Sequence, residues 1–89
     1  MFFIFNANND SYNGIIDLVL EDSDTIKIVD YKLKNIDDEK YINQLNVYYN
    51  YIKSVSNKKI KVYLYSILED RLEEIDTNSF VEFWHTKFI

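Results

Sequence analysis

The sequence predicts an α/β (α+β) sandwich on a mixed sheet, with elements in the order β-β-β-α-β-β. Three observations predict it. "MFFIF", "IIDLVLE", "TIKIVDYKL" and "IKVYLYSI" are short runs rich in β-branched and aromatic residues, separated by polar segments. One longer stretch, 37–55, shows helical spacing instead. That stretch lies between strands, where a crossover to a further strand needs a helix.

Each element has its own reason. "MFFIF" reads as the first strand, and "NANNDSYNG" as a turn, since Asn, Asp, Ser and Gly tolerate left-handed backbone. "IIDLVLE" and "TIKIVDYKL" flank the polar "DSD" and read as a hairpin. Tyr41, Leu45, Tyr48, Ile52 and Val55 then form one apolar stripe. Asp37 or Asp38 suits the N-cap of that helix, and "SNKK" ends it. "IKVYLYSI" and "DRLEEI" read as two strands joined by a turn near Glu69 and Asp70. The tail "FVEFWHTKFI" fits a short helix or an edge strand.

With 89 residues, the chain has room for one domain spanning 1–89. It has no cysteine, so it forms no disulfide and no thiolate metal site. No apolar run is long enough to cross a membrane, and "FFIFN" lacks a signal peptide's basic lead, so the expected location is cytoplasmic. The net charge of −5 argues against a protein that coats nucleic acid through a basic surface. It leaves room for a local site in which a cation offsets carboxylates.

The hairpin carries such a set. In "GIIDLVLEDSDTIKIVDYKLKN", Asp17, Asp30 and Lys32 sit within strand-like apolar segments. Strand side chains alternate between faces, so Asp30 and Lys32 share one. Asp17 joins them if the register sets it opposite residue 28 or 30, and a slip by one residue sends it to the other side. Converging carboxylates share a proton or recruit a cation, and oxygen ligands suit Mg²⁺ or Mn²⁺. With a lysine beside it, such an ion equips a site for phosphodiester hydrolysis. The plain alternative is a solvated polar hairpin face with Asp–Lys pairs across the strands.

"GIIDLV", then "IVDYK", then "QLNVYY" on the next helix resembles the PD-(D/E)xK nuclease superfamily. The resemblance is strongest to the nuclease domain at the C-terminal end of AddA- and RecB-type helicase–nuclease subunits, and it covers roughly residues 2–76. It implies a restriction-endonuclease-like core and a metal-dependent deoxyribonuclease (exonuclease) acting in DNA recombination and double-strand break repair. The implied catalytic residues are Asp17, Asp30, Lys32, Gln44 and Tyr48. The implied metal ligands, for Mg²⁺ or Mn²⁺, are Asp17, Asp30 and the main-chain carbonyl of Tyr31. The implied partners are DNA, as a single strand from a helicase, and a partner helicase–nuclease subunit. Gln44 and Tyr48 lie four apart, on one helical face. Read alone, Gln44 is a solvent-facing residue and Tyr48 a packing residue.

The family carries a helix before its first strand, with a histidine that completes the metal site. The one histidine here, His85, lies near the C-terminus, where a surface position is the ordinary reading. The expectation is therefore a core fragment of a larger helicase–nuclease, with one sheet face uncovered. Self-association through the aromatic ends "FFIF" and "FVEFWHTKFI" follows from that. No G-x-x-x-x-G-K-[ST] motif is present for ATP hydrolysis. Two rivals stand beside this reading. One is a catalytically silent interaction module that keeps the nuclease fold. The other is a restriction endonuclease or an iron–sulfur relative, the latter disfavoured by the missing cysteines.

Overall fold

A computed structural model describes residues 1–7, 9–33 and 39–82. The strands are β1 (Phe2–Ala7), β2 (Asp10–Ile15), β3 (Leu18–Glu21), β4 (Thr25–Lys32), β5 (Lys59–Ser66) and β6 (Arg71–Ile75). The helix α1 (Glu39–Val55) joins β4 to β5, and a 3₁₀ turn at Thr77–Ser79 follows β6. β1 and β2 form an antiparallel pair; β3, β4, β5 and β6 form a second sheet in that order. β4 runs parallel to β5 and antiparallel to β3, and β5 runs antiparallel to β6, so the sheet is mixed. Among the described residues the fold is α+β with one α-helix, as the sequence predicts at that level.

The order differs by one strand. "DSYNG", read as part of a turn, is most of β2 and pairs along the whole of β1, from Phe2 with Ile15 to Ala7 with Asp10. Between the two strands Asn9 takes a left-handed φ of 63°. Polar residues form this strand because its partner supplies the apolar face: Phe3, Phe5 and Ala7 are buried while Ser11 and Asn13 face solvent. "IIDLVLE" is likewise not one strand. Ile15 ends β2 and Leu18 starts β3, with Ile16 fully buried at the break. The order among the described residues is therefore β-β-β-β-α-β-β.

The core lies between the four-stranded sheet, α1 and the β1–β2 hairpin. Ile26 and Ile28 of β4 stand beside Ile60 and Val62 of β5 in register. Leu45, Tyr48 and Ile52 of α1 cover them. Phe3 stacks on Tyr51 with ring centroids 4.5 Å apart and meets Tyr48 edge-on at 5.5 Å. The apolar stripe stops one position short of expectation, since Val55, in the last turn, is 62% exposed. Asn50 is buried off the stripe, its Nδ2 donating to the carbonyls of Asn46 and Val81 at 2.8 Å each. The expected helix cap at Asp37 or Asp38 lies outside the described residues, as do His85 and most of the tail.

No described element covers the other face of the four-stranded sheet. Tyr31, Leu33 and Leu72 are exposed there, and Tyr31 meets Tyr65 edge-on at 6.1 Å. Of the aromatic end "FFIF", Phe3 and Phe5 are core and Phe2 and Ile4 are exposed.

Candidate active site

The β3–β4 register decides whether the charges meet. Leu18 pairs with Val29 and Val19 with Ile28. One further step of that ladder sets Asp17 across from Asp30. Asp17 sits in the break between β2 and β3, where its Oδ2 accepts the main-chain N–H of Tyr31 at 2.9 Å. A side chain thus joins the strands where the ladder has lapsed. The Asp17 and Asp30 carboxyl groups lie within hydrogen-bonding reach of each other.

The two acids live in different surroundings. Asp17 is exposed, and Asp30 is 2% exposed at the end of the β4 face that begins with Ile26 and Ile28. Burial, with Asp17 beside it, pushes the Asp30 carboxyl up to about 6, against the pull of Lys32. The hydrogen bond with Asp30 holds Asp17 below the usual carboxylate range, assisted by the Tyr31 N–H and the Lys32 charge and opposed by partial burial. The pair therefore retains one proton into weak acid, and burial favours the Asp30 carboxyl as its seat.

Lys32 is fixed from three sides. Its Nζ lies 3.0 Å from Asp30 Oδ2, donates to Gln44 Oε1 at 2.9 Å, and stands 4.3 Å from the centre of the Tyr41 ring. The contact to Asp30 is an ion pair without hydrogen-bond alignment, so Asp30 Oδ2 is buried with no hydrogen-bond donor. The chain of bonds continues outward: Gln44 Nε2 donates to the Tyr48 hydroxyl at 2.6 Å, and that hydroxyl donates to the Ile15 carbonyl at 2.9 Å. Burial raises the Tyr48 hydroxyl above its ordinary range, the nearby Asp30 charge adding to it, so it serves as a neutral donor. Tyr48 packs and bonds at once: its ring is core and its hydroxyl reaches the site.

Asp17, Asp30, Lys32, Gln44 and Tyr48 are thus brought together. Tyr31 contributes main chain at the same point, while its side chain points to the open sheet face. Sequence reasoning placed Tyr41 only in the apolar stripe. Its spacing of three before Gln44 was the signal that it shares the face over Lys32.

The donor chemistry fits a hard divalent cation. Two carboxylates, one with a buried oxygen that faces the Lys32 ammonium at 3.0 Å without an aligned hydrogen bond, and a neighbouring carbonyl are all oxygen ligands. Mg²⁺ commonly takes one or two carboxylates and keeps water or substrate phosphate for the rest. Among the described residues no group of three or more His, Cys, Asp or Glu side chains gathers. Asp17, Asp30 and the Tyr31 carbonyl are the residues that would hold the ion. Among the described residues no helix is long and apolar enough to cross a membrane. Comparison with protein-family models, with characterised proteins and with solved structures finds no match to this chain.

Proposed function

We propose that this chain is the core of a metal-dependent deoxyribonuclease that hydrolyses phosphodiester bonds in a DNA strand. The observation that carries the reading is the buried Asp30 carboxylate, whose Oδ2 has an ion-pair contact to Lys32 at 3.0 Å but no aligned hydrogen bond. It stands beside Asp17 and Lys32 at the one polar end of an otherwise apolar face. Burying a charge this way costs stability, and a site that binds a cation offsets the cost.

Hydrolysis adds water across one P–O bond: the water oxygen bonds to phosphorus, and the leaving sugar oxygen takes up a proton. When bound, a divalent ion supplies charge neutralisation and a more acidic water. Asp17 and Asp30 would hold the ion, and an ionised carboxylate of the pair would accept the proton that the attacking water loses as its oxygen bonds to phosphorus. The Lys32 ammonium faces the non-bridging phosphate oxygens and offsets the charge that builds there. Gln44 and Tyr48 keep that ammonium in place through the Ile15 carbonyl. Placement within an AddA/RecB-type exonuclease of recombination and repair, with a helicase-fed strand and a partner subunit, rests on the motif resemblance alone.

The test is calorimetric titration with Mn²⁺ or Mg²⁺ on wild type and Asp30→Ala, followed by hydrolysis of single-stranded DNA. Binding and cleavage that vanish in the variant support the reading. No binding and no cleavage by wild type would sink it. A second reading, a silent interaction module, is favoured by one observation: the open sheet face with exposed Tyr31, Leu33 and Leu72. It expects no metal binding, so the same titration separates the two.

A further inference from the structure

β2 has β1 as its one strand partner among the described residues, so its other edge is left without a ladder. That edge, the exposed ring of Phe2 and the side of α1 enclose a cavity of about 440 Å³. Its walls include Phe2, Tyr12, Asn13, Gly14, Gln44 and Tyr48. Three features describe what it can take. Phe2 is 67% exposed, an aromatic face presented to solvent beside a hollow. Asn13 adds an amide, and the free strand edge can add main-chain N–H and C=O groups. Gly14, the single glycine in the chain, lets the Tyr48 and Phe3 rings pack against the strand at the cavity's edge: a Cβ there would lie 3.0 Å from Tyr48 Cε1 and 3.2 Å from the Phe3 ring.

The cavity adjoins the carboxylate site across Gln44 and Tyr48. Both residues line it and also carry the hydrogen-bond chain to Lys32. A planar heteroaromatic ring with polar edges matches an aromatic wall, an amide and a free strand edge. The covalent neighbour of a phosphate held at Asp17, Asp30 and Lys32 is a nucleotide bearing such a ring. We infer that this cavity is a nucleobase subsite. In it, Phe2 stacks on a base of the strand whose phosphate lies at Lys32, and Asn13 meets the base edge. The inference rests on the hydrolytic reading above and adds what that reading lacks: a reason for the site to take an unpaired strand, whose bases are free to leave the stack.

The experiment compares decathymidylate with a backbone of equal length and charge that lacks bases. Binding is followed by fluorescence anisotropy with Ca²⁺ present, and cleavage of both strands is measured in Mg²⁺. Wild type should bind decathymidylate about tenfold more tightly than the abasic strand, the size of one base–aromatic stack. Phe2→Ala should remove most of that difference and leave abasic binding within about twofold, since stacking is the one term it deletes. Phe2→Trp should restore the preference, and thermal melts should show both variants folded. Equal wild-type affinity for the two strands, with both cleaved at equal kcat/KM, would overturn the subsite and leave the hydrolytic reading standing. Phe2→Ala weakening both strands alike would also overturn it. Wild type that binds and cleaves neither strand would sink both.

Discussion

The two ends of β4's covered face make the most instructive comparison in this molecule. At one end, Ile26 and Ile28 lie beside Ile60 and Val62 under Ile52, all buried and all apolar. At the other end, two residues further along the same strand, stand Asp30 and Lys32 beside Leu64 and Ser66. Backbone, sheet and covering helix are shared. Only the side chains change, from groups that gain by leaving water to groups that lose by it. The apolar end holds the domain together, and the polar end spends part of that stability on a poised set of charges. Neutralising the buried charge at one end and truncating the core at the other should therefore move stability in opposite directions.

The largest effect should come from the apolar end. Ile28 is fully buried between β3, β5 and α1. Ile28→Ala should cost about 2–5 kcal/mol, the range for truncating a buried aliphatic side chain. In a domain this small that lowers the melting temperature by ~10 °C or more. A loss under ~1 kcal/mol in denaturant titration would mean the core is looser than its burial indicates.

The polar end should respond with the opposite sign. The Asp30 pKa of about 6 lies above its ordinary value of 3.8, so between those values the folded state holds a proton that the unfolded state has released. Stability contributed by that proton is present at low pH and lost as pH rises toward 6. Asp17, held low, works the other way in a lower window: its contribution is present above about 3.8 and is lost as pH falls further. Asp30→Asn should therefore stabilise the metal-free protein by about 1–2 kcal/mol above pH ~7 and by little near pH ~4, since each tenfold change in proton affinity is worth ~1.4 kcal/mol. Wild-type affinity for Mg²⁺ should fall as pH drops through about 6, because the ion must displace that proton. Melting curves across pH, and calorimetry in buffers of different ionisation enthalpy, check the two halves. An Asn variant less stable than wild type at pH ~8 would show that Asp30 is a net stabiliser through Lys32, and the comparison would fail.

This contrast also explains what the sequence made legible. The β-branched alternation of "TIKIVDYKL" and "IKVYLYSI" gave β4 and β5 their faces, because both arms bury one side. Asp30 and Lys32 fell on the buried side by parity alone, and Gln44 and Tyr48 fell together by helical spacing. β2 was illegible because Ser11, Asn13 and Gly14 have turn chemistry; their strand state is imposed by β1, whose Phe3 and Phe5 do the burying. Tertiary pairing overrode local propensity there. The break at Ile16 and Asp17 was hidden for a related reason: β2 serves β1 and β3 serves β4, and no local signal marks where one partner gives way to the other. The proton shared by the two acids needs their distance and burial, which periodicity does not supply.

Gly14 tests the seam between the two ends. A methyl group there meets the Tyr48 ring at 3.0 Å and Phe3 at 3.2 Å, both packed in the core. Gly14→Ala gains roughly 0.5–1 kcal/mol from reduced backbone freedom in a strand and loses roughly 1–3 kcal/mol from overpacking. A net loss of about 1 kcal/mol is expected from those two terms. Cleavage should fall more than stability does, because the displaced ring carries the hydroxyl that anchors Gln44 and, through it, Lys32. Unchanged kcat with reduced stability would confine Gly14 to packing.

A comparably small effect on stability is also the sharpest on mechanism. Tyr48→Phe keeps the ring under Phe3 and deletes one oxygen. Two hydrogen bonds go with it, the one accepted from Gln44 at 2.6 Å and the one donated to the Ile15 carbonyl at 2.9 Å. Ile15 is exposed, so water can replace the second bond, and the cost should be about 0.5–1.5 kcal/mol. Lys32 then keeps Asp30 and the Tyr41 ring but loses a fixed Gln44. If the chain from Ile15 positions the ammonium for the transition state, kcat should drop about tenfold, with Mn²⁺ affinity and KM little changed. Tyr48→Leu removes the same bonds and repacks the ring, so it should add a stability loss without a further loss of kcat. Equal kcat in wild type and Tyr48→Phe would show that Asp30 and Tyr41 alone hold Lys32. The polar end would then be a local cluster in β4 and the first turn of α1 rather than a network reaching back to β2.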